Sequence, residues 1–260
     1  MEMDMNPVRN SIHTLSAALF TLAALIALTP AQATTEIVGT EKIIGSGTIQ
    51  TETRGVSGFR GVSLAISAQV TLRQGDHEGL KISGDDNVLP LVETVVENGT
   101  LKIRWAGGAH YQISAKALEI VIDARSIDGL AVRGSGEIRA DRLTAGHLNA
   151  AITGSGAIVV DNLDVDALDV ALAGSGHLNA GGRADLLVAA LSGSGELSAA
   201  KLASRRARIA LHGSPQASVW AKDELKASIA GSGDIKYYGK PRLTQTIAGS
   251  GTIRSAGDAT

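Results

Sequence analysis

Through residues 128–255 apolar and polar positions alternate. One recurring phrase punctuates them: an aliphatic residue, a spacer, Gly-Ser-Gly, a spacer and a second aliphatic. Its first glycines are Gly134, Gly154, Gly174, Gly193, Gly213, Gly231 and Gly249, so the spacings are 20, 20, 19, 20, 18 and 18 residues. Two residues before each glycine stand Val132, Ile152, Leu172, Leu191, Leu211, Ile229 and Ile247. Four after it stand Ile138, Ile158, Leu178, Leu197, Ala217, Ile235 and Ile253. Six before it are Leu148, Leu168, Leu187, Leu225 and Leu243, with Asp128 and Ala207 as exceptions. Such period-two columns are those of strands buried on one face. The third position after the glycine varies freely (Glu137, Ala157, His177, Glu196, Gln216, Asp234, Thr252), as a solvated face would.

A period near twenty residues implies a solenoid, each repeat stacking on the next. Gly-Ser-Gly falls between two short strands, where glycine accepts positive φ at a sharp corner. The serine hydroxyl is expected to bond corner backbone groups or the serine of the next coil. Seven rungs make a rod about 35 Å long, and inner alanines such as Ala140, Ala180 and Ala199 imply a narrow cross-section. The fifth copy departs from the rule: His212 precedes the corner, Pro215 replaces the second glycine, and Ala217 replaces the aliphatic. Proline donates no ladder bond, so a kink or bulge is expected there.

Residues 34–130 are strand-like without a clean repeat. Gly45-Ser46-Gly47, flanked by Ile44 and Ile49, is an early copy of the phrase. Val62, Leu64 and Ile66 alternate, as do Val70 with Leu72 and Leu80 with Ile82. Asp85-Asp86-Asn87 marks a turn. Val92–Glu97, Asn98-Gly99 and Leu101–Trp105 read as a hairpin whose two turn residues take left-handed conformations. That reading outranks Asn98-Gly99-Thr100 as a glycosylation sequon. The expected fold class is therefore all-β: a parallel β-helix (β-solenoid), taken as right-handed, over residues 131–256. An irregular antiparallel or mixed β N-terminal portion, residues 34–130, packs on or caps it.

Composition adds an export signal and removes several chemistries. Arg9 lies in a polar start, an apolar run follows from Leu15 to Leu28, and Ala31-Gln32-Ala33 has the small-x-small form of a cleavage site. Residues 1–33 therefore read as a signal peptide, with the mature chain from about Thr34. Glu2 and Asp4 are unusual in such a leader and place the true start at Met3 or Met5. No run in the mature chain is long enough to span a membrane. The chain has no cysteine, which excludes disulfides, thiolate metal sites and a lipidated N-terminal cysteine. Without residues 1–33 the balance is 23 basic against 24 acidic residues, no electrostatic basis for nucleic acid or an anionic membrane.

The Phe59-Arg60-Gly61-Val62, Gly84-Asp85-Asp86-Asn87-Val88-Leu89 and Glu97-Asn98-Gly99-Thr100-Leu101-Lys102-Ile103 stretches precede the Gly-Ser-Gly-x-Ile units. In this order, over roughly residues 50–255, the chain resembles the head GIN domain family of auto-transporter adhesins. The resemblance implies a β-solenoid in an exported bacterial protein and brings no catalytic residues. Only residues 254–260 follow the last rung, so no translocating barrel is expected.

Catalytic patterns are weak. Asp161, Asp164, Asp166 and Asp169 could serve acid–base catalysis or calcium, but they share one connecting segment with no acidic partner expected on the flanking coils. His147, His177 and His212 sit at three different offsets and do not converge as zinc ligands. The recurring serines lack a base, and Gly-Ser-Gly lacks the lysine and helix of a phosphate loop. No cofactor or metal site is expected.

One cluster marks a candidate ligand or partner surface: Trp220, Lys222, Lys236, Tyr238, Lys240 and Arg242, with Lys226 nearby. Aromatic and basic side chains together suit an acidic envelope glycan or a protein partner. Tyr237 falls in a core column, and Trp220 can equally cover a corner. The expected function is a non-catalytic, exported binding or adhesion-type module of the bacterial cell envelope, periplasmic or at the cell surface. Its flat outer face would make multivalent contacts. The alternative is a carbohydrate-active enzyme, a polysaccharide lyase or glycosidase, on the same scaffold. A third is an envelope protein without a ligand.

Overall fold

The computed structural model describes residues 41–108 and 111–258, and the expected leader, residues 1–33, lies outside them. The strands in chain order are β1 (Glu41–Ile44), β2 (Ile49–Arg54), β3 (Gly61–Leu64), β4 (Ala68–Gln74), β5 (Gly79–Asp85), β6 (Val92–Glu97), β7 (Thr100–Trp105), β8 (Tyr111–Ser114) and β9 (Leu118–Ala124). There follow β10 (Gly129–Gly134), β11 (Glu137–Gly154), β12 (Ala157–Gly174), β13 (His177–Gly193), β14 (Glu196–Gly213), β15 (Gln216–Gly231), β16 (Asp234–Tyr238), β17 (Arg242–Gly249) and β18 (Thr252–Ser255). The fold is an all-β solenoid of about 6 turns with a mixed sheet in its N-terminal part.

Strands β11 to β15 each trace a whole coil and pair in parallel with the next. In the first of them Ile138, Ala140, Leu143, Ala145, Leu148, Ala150 and Ile152 face inward. The steps are two residues except from Ala140 to Leu143 and from Ala145 to Leu148. A step of three turns two neighbours outward together, so the chain bends there. With the Gly-Ser-Gly corner this gives each coil three sides. The aliphatic columns read from the sequence are the core: Ile152, Leu172, Leu191 and Leu211 are all buried on successive rungs.

At the glycine corner the rungs approach backbone to backbone. The seven first glycines have φ between 95° and 130°. A Cβ on Gly174 would lie 2.4 Å from the Gly154 carbonyl oxygen, and one on Gly193 would lie 2.5 Å from that of Gly174. The next residue's N–H continues the ladder, as Ser175 donates to Gly154 and Ser194 to Gly174, both at 2.9 Å. Among the described residues the expected serine bond forms at the early copy, where the Ser46 hydroxyl accepts from the Thr48 N–H at 3.1 Å, and not at the seven later corners. There the side chains point outward into solvent, and the backbone alone satisfies the corner.

No kink or bulge forms at Pro215 itself, and the irregularity of this rung lies farther on, between Val219 and Trp220. Ser214 and Gln216 donate to Gly193 and Gly195 at 2.8 and 3.0 Å, and the register continues to the next rung. The stacked Gly156, Gly176 and Gly195 donate no rung-to-rung bond either, so proline loses nothing there. Differences in coil length are absorbed at the other two bends. The register shifts fall between Val160 and Leu163, between Asn179 and Gly181, between Ala199 and Ala203, and between Ser204 and Arg206. Where the coil from Gly213 is shorter, Ala203 pairs with Trp220, and the buried Ser204 hydroxyl donates to the Trp220 carbonyl at 2.5 Å.

The front of the chain starts and closes the solenoid. Strands β3 and β4 lie under β10 and β11, while β6 and β7 form the Asn98-Gly99 hairpin with φ of 51° and 72°. Strand β6 ends the sheet, and its Glu93 and Glu97 are paired with Arg104 and Lys102. Hydrogen bonds from Lys102 and then Arg104 hold the Glu97 carboxyl below its usual range. Where no strand covers Thr144, the Gln74 amide stands in. It accepts from the Thr144 N–H at 2.8 Å and donates to the Thr144 carbonyl at 3.0 Å. Asp85-Asp86-Asn87 does more than turn. Buried Asp85 accepts from Gly47 N–H at 2.6 Å and Lys116 N–H at 3.0 Å, while Asn87 holds Ser46 N–H and the Ile44 carbonyl.

Gly174→Ala should lower stability by about 2–4 kcal/mol in urea denaturation, because it combines a disfavoured φ with a clash against backbone. Gly146→Ala, whose added methyl meets only Asp166 at 3.7 Å, should stay close to wild type. Ser204→Ala should cost about 1–3 kcal/mol in the same measurement, since it strands a buried carbonyl.

Candidate functional site

The side of the coil that follows the glycine corner presents three outward columns at its C-terminal end. Gln216, Asp234 and Thr252 form the first, and Ser218, Lys236 and Arg254 the second. Trp220 and Tyr238 pair as the third. The intervening Ala217, Val219 and Ile235 are buried, which fixes the outward direction of these columns. Along the strand the columns stand about 7 Å apart, and between rungs roughly 4.8 Å. The result is an aromatic pair beside a basic pair, over a shallow cavity of about 210 Å³ that includes Ser218, Asp234, Lys236 and Arg254.

Of the six residues singled out in the sequence, the structure brings together Trp220, Lys222, Lys236 and Tyr238. The Lys222 ammonium lies 5.3 Å from the centre of the Trp220 ring, within cation–π range. Trp220 and Tyr238 are half-buried, whereas Tyr237 turns inward and packs against the core as its column requires. Lys240 lies beyond the next bend and faces Asp258 at 3.6 Å. Arg242 begins the third side, stacked on Glu224. Neither joins the aromatic patch. Arg254 does belong to it and was missed, although its place one repeat after Lys236 was visible in the spacing.

The acidic segment is a different kind of surface. It is part of strand β12, not a connecting segment, and it does have an acidic neighbour. Asp166 and Asp185 occupy matching places between the pairs Val165–Ala184 and Ala167–Leu186. The sequence reading overlooked this because the one-residue shorter coil shifts the count. Asp164, Asp166 and Asp185 line a groove of about 340 Å³ together with Arg183, Arg205 and Lys222. Arg183 donates to Asp164 through two nitrogens at 2.5 and 2.8 Å. That hydrogen bonding holds the Asp164 carboxyl below its usual range, the wrong direction for a general acid. Asp169 faces His147 at 2.9 Å, and Asp161 is exposed at a bend. Among the described residues no group of three acidic or histidine side chains is arranged to hold a metal ion.

A third surface lies on the last side of each coil. Ala171, Ala190 and Ala210 stack outward, continued by Ser228 and Thr246. Ala190, Ala210, Ser228 and Thr246 of this row line an apolar groove of about 290 Å³ bordered by Arg208 and Lys226.

Comparison with known proteins agrees with this architecture. Residues 58–241 match the family described as "Putative auto-transporter adhesin, head GIN domain". A solved "putative lipid binding protein" of Parabacteroides distasonis is 27% identical, with a TM-score of 0.72, covering 83% of this chain and 100% of its own. A "putative adhesin" of Bacteroides fragilis is 23% identical with a TM-score of 0.76, covering 82% and 99%. Another from Parabacteroides merdae, at 20% and 0.64 over 84% and 100%, has the same fold. No curated protein sequence matches. These family and structural relatives are described as adhesins or binding proteins, not enzymes. With its phrase order, its hairpin and its rungs all in place, the chain belongs to the head GIN domain family.

Proposed function

We infer that this chain is a non-catalytic binding module, exported to the bacterial cell envelope after loss of residues 1–33. In this reading residues 34–130 cap a solenoid of residues 131–256. Its ligand is an acidic glycan held on the C-terminal rungs. One observation carries the assignment: Trp220 and Tyr238 form an aromatic pair beside the Lys236–Arg254 column, with Lys222 over the indole. A sugar ring stacks on aromatic faces, and a neighbouring carboxylate or sulfate ester is held by the ammonium and guanidinium. A rigid sheet presents these groups without a loop to order, which lowers the entropy cost of binding. Export rests on the apolar leader read from the sequence, Leu15 to Leu28 followed by Ala31-Gln32-Ala33. Lys240 and Arg242 lie at the margin and would add charge, not contact.

A second reading rests on the alanine-floored groove. An acyl chain could lie along Ala190 and Ala210 with an anionic head at Arg208 and Lys226, and the Parabacteroides distasonis relative is described as lipid binding. Two sets of variants separate the readings. For the glycan, binding to immobilised uronate and sulfated polysaccharides should weaken about tenfold in Lys236→Glu and again in Arg254→Glu. Added salt should also weaken it, with melting temperature unchanged because Lys236 and Arg254 are exposed. Trp220→Ala should abolish the stacking contribution. Retention of full binding by all three variants would end the glycan reading. For the lipid, Ala210→Glu should remove binding to vesicles containing anionic phospholipid while leaving polysaccharide binding intact.

A further inference from the structure

Strand β17 leaves one edge open. It pairs with β15 on one side and with no other strand among the described residues. Its inward row, Leu243, Gln245 and Ile247, continues columns that on the previous rung are Leu225, Ala227 and Ile229. Those three are buried, whereas Ile247 is 40% exposed, one of three large apolar side chains so exposed among the described residues. An unpaired strand edge with an uncovered apolar residue is a template for another strand. The other end of the sheet differs, because β6 carries paired charges on its outward face.

The sequence of this edge reads nearly the same in both directions: Leu243-Thr244-Gln245-Thr246-Ile247. In an antiparallel pair, residues directly opposite must share a face. Centring the pair on Gln245 puts Thr244 opposite Thr246 and Leu243 opposite Ile247, each twice, with Gln245 opposite its own copy. Centring on Thr246 instead would set Ile247 against Gln245 and Leu243 against Gly249, leaving the apolar residues unmatched. In the Gln245 register Arg242 faces Ala248, and the two Arg242 side chains stay about 20 Å apart.

We propose that two copies of this chain join through β17, antiparallel about a two-fold axis at Gln245, so that the two solenoids share one sheet. Each edge supplies the backbone donors and acceptors the other lacks, the threonines pair outside, and Leu243 covers the partner's exposed Ile247. A contact of one patch with itself closes at the dimer. Only a terminal rung is buried on each side, so the interface is small and its dissociation constant falls in the micromolar range. This proposal is independent of which ligand the outer face takes.

Sedimentation equilibrium of the purified protein should show a concentration-dependent monomer and dimer with nothing larger. Gln245→Lys and Gln245→Glu should each weaken the dimer by about tenfold or more, since like charges then face each other across the axis. Mixing the two variants should restore a mixed dimer, a recovery that damage to the fold could not produce. Because the chain has no cysteine, Gln245→Cys should oxidise to a covalent dimer, while Ser194→Cys on a middle rung should not. A wild-type monomer at every concentration, a dimer indifferent to both charged variants, or assemblies that grow beyond two would each overturn the proposal.

Discussion

The rest of the structure hangs on the contact between one glycine corner and the next. A carbonyl oxygen of Gly154 occupies the space where a Cβ of Gly174 would be, and the relation repeats from rung to rung up to Gly249 above Gly231. Any side chain there would force the rungs apart, and every parallel ladder bond on the adjoining sides would lengthen with it. The corner therefore acts as a spacer that sets the rise of the solenoid. Serine follows because its backbone N–H is needed and its side chain merely has to tolerate solvent. Proline is admitted at Pro215 because that position donates nothing.

Holding one corner invariant pushes all irregularity elsewhere. The coils differ by up to two residues, yet the columns beside the glycine corner stay aligned, because the extra or missing residues are taken at the bends before the second and third sides. At these bends Gly182 takes a φ of 108°, and the buried Ser204 hydroxyl donates to the Trp220 carbonyl. The shortened bend sets Trp220 beside Ala203, and the equal length of the next coil keeps Trp220 in register with Tyr238.

The two ends of the solenoid are treated differently. At the start, Asp85, Asn87 and Gln74 use side chains to satisfy backbone groups that a further rung would have paired. At the finish, Gln245 and Ser255 replace aliphatic or aromatic residues in inner columns, but Ile247 remains uncovered. Polar residues there mark where the core stops, while the backbone edge of β17 stays free to pair. Repeat architectures need such ends because each unit completes only the unit before it.

From its sequence alone this chain determined the solenoid, its inner columns, the hairpin at Asn98-Gly99 and the family, because backbone stereochemistry and period-two burial leave a mark at every repeat. The cluster around Trp220 was legible as composition, but its membership was not. Arg254 joins the patch while Lys240 and Arg242 turn away, since which outward residues are neighbours depends on register and on where each coil bends. Asp166 beside Asp185 was hidden for the same reason, a coil one residue short. The clamp at Asp85 and the bond from Ser204 to Trp220 were beyond reach of any local pattern, because they join residues distant in the sequence or repair a register slip. The repeat decided how the chain stacks. Only the tertiary structure decided which side chains meet.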